Sequence, residues 1–142
     1  MRHPSPAALW SLVLVALPAC AFAPEDAQRL ERPPQVYREW FTRTQQCSGL
    51  RGDFSRLEFF VVEGESFACP TGRCSGRWEP PGRIYVARRY VEHEMVVRHE
   101  MLHALIGTAG HPDPPFAGRG CGLTWESWQS RTAQLLGIVP PQ

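Results

Sequence analysis

The stretch VVRHEMLHALIGTAGHPDPPF, residues 96–116, sets His99, Glu100 and His103 in the spacing H-E-x-x-H, and a further histidine, His111, follows eight positions later. On an α-helix, residues four apart differ by about 40° around the axis and lie one turn apart along it. His99 and His103 would therefore project together and can share one zinc ion through imidazole nitrogens. Glu100, next to the first ligand, falls beside the metal rather than on it. A carboxylate there can take a proton from water that a metal ion has acidified. The competing reading is an amphipathic helix whose two histidines are merely packed or exposed. Three features favour the metal: a well-delimited helix, a preceding strand, and a following loop that offers further ligands. His93-Glu94 makes an internal comparison, because it lacks a second histidine at the matching distance. His93 is also six residues from His99, on another face, and is read as a non-ligand.

A catalytic zinc site usually takes three protein ligands and leaves one position open. His111 ranks first for the third place, because a loop of that length after the helix can curl back to the metal. Asp113, two residues on, and Glu126, on a later segment, are the alternatives. Arg119 and Tyr90 are the candidates for stabilising an oxyanion.

The elements that must position these residues follow from periodicity. QVYREWFTRTQQ, residues 35–46, sets Val36, Tyr37, Trp40 and Phe41 at helical spacing. RLEFFVVEGES, residues 56–66, reads as a strand by its β-branched and aromatic content, and RIYVA, residues 83–87, as a second. Between them FACPTGRCSGRWEPPG, residues 67–82, is turn-rich and reads as a loop. Residues 90–107 carry no Pro or Gly until Gly107, a suitable C-terminal cap. Met95, Val96, His99, Leu102, His103 and Ile106 then share one face. The last 20 residues hold Trp125, Trp128, Leu135, Leu136 and Ile138, which predict a final helix covering the core before a Pro-Pro tail. The fold class expected is α+β in one domain.

The N-terminus stands apart. An eleven-residue apolar run, residues 7–17, follows Arg2 and His3 and is too short to span a bilayer, but it suits a secretory signal. L-P-A-C at residues 17–20 resembles the bacterial lipobox, which implies lipidation of Cys20 and attachment to the cell envelope through that lipid. An ordinary signal peptide cut near Ala21 or Ala23 is the alternative. The division expected is a signal peptide over 1–19, a lipid-anchor tether over 20–34, and a folded domain over 35–142. Of five cysteines, lipidation of Cys20 leaves four, an even number that reads as two disulfides in an exported domain. A Cys₄ zinc site would need two close pairs, and only Cys69 and Cys74 are close. Of the three possible pairings, Cys69–Cys74 and Cys47–Cys121 are favoured. Fourteen prolines and twelve glycines imply much irregular backbone, for which two disulfides would compensate. The net charge is +1, of which Arg2 contributes one, leaving zero from Cys20 onward. No basic stripe or polybasic patch points to nucleic acid or anionic lipid.

The H-E-x-x-H helix preceded by a helix and two strands resembles the zincin metallopeptidases. The resemblance covers about half of the chain, and only the motif itself is specific. It implies a minimal zincin-like core: a backing helix, a small twisted sheet with an exposed edge strand, and an active-site helix. The metzincin extension is absent, since Ile106 and Ala109 stand where glycine and histidine would be required. The activity implied is zinc-dependent hydrolysis of a peptide or protein substrate by a monomer, with Glu100 as general base. A substrate strand would pair along Ile84–Ala87. A non-catalytic zinc-binding lipoprotein and the hydrolysis of another bond, such as a cell-wall amide, are the competing expectations.

Overall fold

Arg83–Ala87 sits at the centre of a small sheet, which is where a run of β-branched and aromatic residues belongs when both faces are covered. The computed structural model describes residues 22–137. The expected signal peptide, the expected lipidation site Cys20, Ile138 and the Pro-Pro tail lie outside the described residues. In chain order the elements are strand β1 (Gln28–Arg29), helix α1 (Val36–Ser48), strands β2 (Glu58–Val62), β3 (Phe67–Cys69), β4 (Gly72–Cys74), β5 (Gly76–Glu79) and β6 (Arg83–Ala87), and helices α2 (Glu94–Ile106) and α3 (Trp125–Leu135). Single 3₁₀ turns occupy Phe54–Arg56 and Arg88–Tyr90. The architecture is mixed α+β.

The main sheet runs β1-β2-β6-β5. β2 and β6 are parallel, with Phe59 opposite Ile84 and Val61 opposite Val86, while β1 and β5 pair antiparallel on the two flanks. Alternation along β6 sends Ile84 and Val86 to one face and Tyr85 and Ala87 to the other. The first face packs with Tyr37, Trp40 and Phe41 of α1 and with Met95, Met101 and Leu102 of α2. The second is closed by Phe67 and by Phe22, under the two-stranded sheet of β3 and β4. Each large apolar side chain fully buried this way contributes roughly 1.5–3 kcal/mol.

Several expectations change. Residues 67–82 are not a loop: they form β3, β4 and β5, and β5 is an edge of the main sheet. Ile84–Ala87 is therefore flanked on both sides and cannot accept an added strand, so the free edge beside the helices is β5. The stretch expected as a tether enters the fold, because Gln28 and Arg29 pair with Val61 and Phe60, and Phe22 stacks against Phe67. Helix α2 begins at Glu94 rather than near residue 90, with His93 as its N-cap. Eight of its thirteen residues are buried, so it is enclosed nearly all round instead of showing one apolar face. Helix α3 covers the core only through Trp128; Leu135 and Leu136 are 81% and 69% exposed.

The helices are locked by polar and covalent ties. Arg98, almost fully buried in α2, donates from Nε to Thr44 Oγ1 at 3.0 Å and from Nη1 to Glu94 Oε1 at 2.8 Å. Both disulfides pair as favoured from the spacing: Cys69–Cys74 staples the β3–β4 hairpin, and Cys47–Cys121 ties the end of α1 to the segment before α3. The second closes a loop of 74 positions. Replacing both Cys47 and Cys121 by serine should therefore lower the unfolding free energy by about 4 kcal/mol, since a long loop is released in the unfolded chain. Denaturant unfolding of the two proteins at matched pH checks this, and a loss below about 1 kcal/mol would contradict it.

Candidate metal centre

His99 and His103 lie one turn apart on α2, and the helix ends immediately after them. Gly107 takes a left-handed conformation, φ 77°, and its N–H returns to the His103 carbonyl at 2.8 Å. A side chain with a Cβ is disfavoured in that backbone region, whereas glycine enters it freely. The chain thus reverses at once, and the following loop carries His111 back over the helix. His111 Nε2 stands 2.9 Å from His99 Nε2, which is 3.2 Å from His103 Nε2. The three ligand nitrogens all lie within 4.8 Å of one another, and the group could hold a metal ion.

Backbone carbonyls decide which nitrogen each ring of α2 offers. His99 Nδ1 is 2.6 Å from the Leu123 carbonyl oxygen, and His103 Nδ1 is 2.8 Å from that of Thr108. A carbonyl only accepts, so both Nδ1 atoms carry the hydrogen and donate, which leaves a lone pair on each Nε2. Burial holds both rings neutral, their pKa values pulled down from 6.5 to about 4. Two lone pairs therefore face each other at 3.2 Å with no proton to share. Such a pair repels until a cation lies between. Nitrogens at about 2.05 Å from one tetrahedral ion would be roughly 3.3 Å apart, close to the spacing found. Carbonyl partners of this kind also fix ring orientation and raise ligand basicity.

The surroundings complete the seat. Phe116, buried, places its ring 4.9, 4.6 and 4.8 Å from the His99, His103 and His111 rings and forms a shared apolar floor. Trp78 of β5 stacks on His103 at 6.5 Å. Beside the histidines opens a cleft of about 390 Å³, to which His99, Glu100 and His111 contribute together with Gly76 and Trp125. Glu100 is only 6% exposed. Burial pushes its carboxyl up to about 8, against the Trp78 backbone N–H and the Arg77 charge, which pull it down. It lies so close to β5 that a Cβ on Gly76 would come within 2.8 Å of Glu100 Oε1.

Of the residues singled out from the sequence, His99, His103 and His111 converge, and Glu100 borders the same cleft. Asp113 and Glu126 are exposed and outside the cluster; Glu126 lines a separate groove on α3. His93 packs among Tyr90, Trp125 and Trp128, away from the ligand group. Neither Tyr90 nor Arg119 lines the cleft, and Arg119 borders a groove by Leu105 and Pro112. Sequence reasoning did not find Phe116, the Leu123 and Thr108 carbonyls, or Gly76. Phe116 and Gly76 each carried a signal, an aromatic within the ligand loop and a glycine opening a strand; the carbonyls carried none.

No protein-family model, no curated protein and no solved structure matches this chain. The site must therefore be read from its own geometry.

In the metal-free protein the titrating groups pull stability in opposite directions. His99 and His103 protonate near 6.5 when unfolded but near 4 when folded, so their contribution is lost as pH falls from about 6.5 to about 4. Glu100 is raised from 4.5 to about 8, so its contribution is full below 4.5 and is lost as pH rises through about 8. Two groups outweigh one below pH ~6.5, and only Glu100 acts above it. The midpoint of thermal unfolding after chelation should therefore peak near pH ~6.5. A midpoint rising steadily from pH ~5 to ~9 would rule out the burial of Glu100 as described.

Proposed function

We propose that this protein is a zinc-dependent metallopeptidase of minimal zincin type, exported and held at the bacterial cell envelope by a lipid on Cys20. The observation that carries the reading is the convergence of three imidazole Nε2 atoms beside a single buried carboxylate, Glu100, on one cleft. Three nitrogen ligands with room for a fourth position suit catalytic zinc among common divalent ions. The order α1, sheet, α2, with β5 as a free edge next to α2, supports the zincin-like arrangement. Two disulfides support export to an oxidising compartment. Among the described residues no helix is long and apolar enough to cross a membrane. A monomer acting on a peptide or protein, with no nucleic-acid partner, remains the fitting picture.

Zinc bound to the three histidines would supply Lewis acidity, polarising a scissile carbonyl and acidifying water. Glu100 takes the proton from the attacking water as its oxygen bonds to the carbonyl carbon. It then gives that proton to the amide nitrogen as the C–N bond breaks, so no net proton is gained or lost. The Trp78 N–H faces the carboxylate, and Gly76, with no Cβ, leaves the room that it occupies. An extended substrate would lie along the free edge of β5, where Ser75 and Gly76 line the cleft.

The depth of Glu100 favours a second reading: a zinc-binding lipoprotein in which the carboxylate only fastens α2 to β5. The two readings diverge on substitution. Zinc should bind one-to-one, and His103→Ala should abolish it while Asp113→Ala and Glu126→Ala leave it intact, as elemental analysis after dialysis would report. Retention of full zinc by His103→Ala would remove the site. With zinc loading matched, Glu100→Gln should cut peptide hydrolysis about a hundredfold to ten-thousandfold. Gly76→Ala should also lower it, because the added methyl must displace the Glu100 carboxyl. Equal turnover by parent and Glu100→Gln would mean that the activity is a contaminant's or that Glu100 has another role, whereas a parent inert towards every peptide tested would favour the binding module.

A further inference from the structure

We propose that Arg73 recognises a carboxylate on the substrate, so that the cleft selects peptides bearing an acidic side chain or a free C-terminus near the scissile bond. This rests on the peptidase reading of the same cleft and adds its substrate class.

Arg73, on β4, lines the cleft together with Ser75, Gly76, His99, Glu100 and His111. Six other arginines, at 29, 43, 77, 88, 89 and 98, each pair with a glutamate. Among the described residues no ion pair includes Arg73. Its hydrogen bonds go instead to a neutral anchor. Nε donates to Ser66 Oγ at 2.9 Å, and Nη2 donates to Ser66 Oγ and to the Ser66 carbonyl, both at 2.7 Å.

Those bonds set the guanidinium in one place without neutralising it. The backbone beneath is set as well, since Arg73 pairs with Ala68 and the adjacent Cys74 is bridged to Cys69. A pre-ordered arginine loses less side-chain freedom on binding than a floppy one. Three of its five N–H groups are committed to Ser66, so a carboxylate would meet the positive charge through the two that remain on Nη1. Among the described residues the only carboxylate lining the cleft is Glu100, nearly buried close to β5. The rim is thus cationic, and the field at the mouth favours an anion. The facing wall, with Met95, Val96, Leu123 and Trp125, is apolar, so the charge selects along one side only.

The test uses zinc-loaded protein and matched peptide pairs: internal Glu against Gln, and free C-terminal acid against amide. The parent should prefer the acid member of one pair by about five- to tenfold in kcat/KM, expressed mainly in KM, as expected for a partly exposed charge-assisted hydrogen bond. Whichever pair shows the preference names the source of the carboxylate. Arg73→Gln should bring the ratio to about one, Arg73→Lys should keep part of it, and Ser66→Ala should reduce it. A parent ratio near one in both pairs, or a ratio that Arg73→Gln leaves unmoved, overturns the proposal and leaves the peptidase reading standing. The same pairs titrated against zinc-loaded Glu100→Gln protein, followed by tryptophan fluorescence, separate the opposite failure. Tighter binding of acidic peptides that depends on Arg73, without hydrolysis by the parent, would uphold the recognition and overturn the peptidase. No binding preference and no hydrolysis would overturn both.

Discussion

Two peptide carbonyls, those of Leu123 and Thr108, determine what the histidines of α2 can do. Each takes an Nδ1 hydrogen and so turns a ring that could titrate or hydrogen-bond in several ways into a ligand with its lone pair aimed inward. Neither carbonyl belongs to the helix. Both lie in the segment after it, which reverses at Gly107, carries His111 and Phe116 past the ligand rings, and returns at Leu123. The site is therefore a property of helix and loop together. The loop stays in register because Leu123 donates its N–H to the Phe116 carbonyl at 2.7 Å, and because Cys121, two residues away, is bonded to α1.

The same economy places polar groups in the core. α2 buries Arg98, Glu100 and His103 among Val97, Met101 and Leu102. A buried charge without a partner costs several kcal/mol. Here each group has one: Arg98 has Thr44 and Glu94, and His103 has the Thr108 carbonyl. Glu100 is the least provided for, with a single backbone N–H and the distant charge of Arg77, and burial raises its proton affinity accordingly. The polar groups of α2 thus differ in how fully they are partnered, and Glu100 stands at the poorer end beside the cleft.

How much of this was legible depended on whether the contact was local. His99 and His103 are four residues apart, so helical geometry alone juxtaposes them. His111 was ranked over Asp113 and Glu126 on loop length, and the loop does return. One close cysteine pair made Cys69–Cys74 the favoured bridge among three possible pairings, and the structure has that bridge and Cys47–Cys121. Strand β5 was not legible: G-R-W-E alternates poorly, opens on a glycine, and sits among turn residues. It becomes a strand because pairing with β6 overrides its weak propensity. The start of α2 was misplaced because Y-V-E-H-E carries no Pro or Gly to mark a boundary, while the chain spends Arg88–Tyr90 in a 3₁₀ turn and His93 at the cap. Leu135 and Leu136 read as core residues by type alone, although α3 turns them outward. The Leu123 and Thr108 carbonyls could not be read at all, because every residue has one.

The Cys47–Cys121 bond bears on when the site comes into being. Leu123 is held against His99 by a segment that is tied to α1, two residues upstream, by a covalent bond that forms only on oxidation. While the thiols are free, the segment that brings the Leu123 carbonyl to His99 would lack its covalent tie to α1. Ligand geometry would then mature after the chain meets an oxidant, and metal capture would be deferred until that moment.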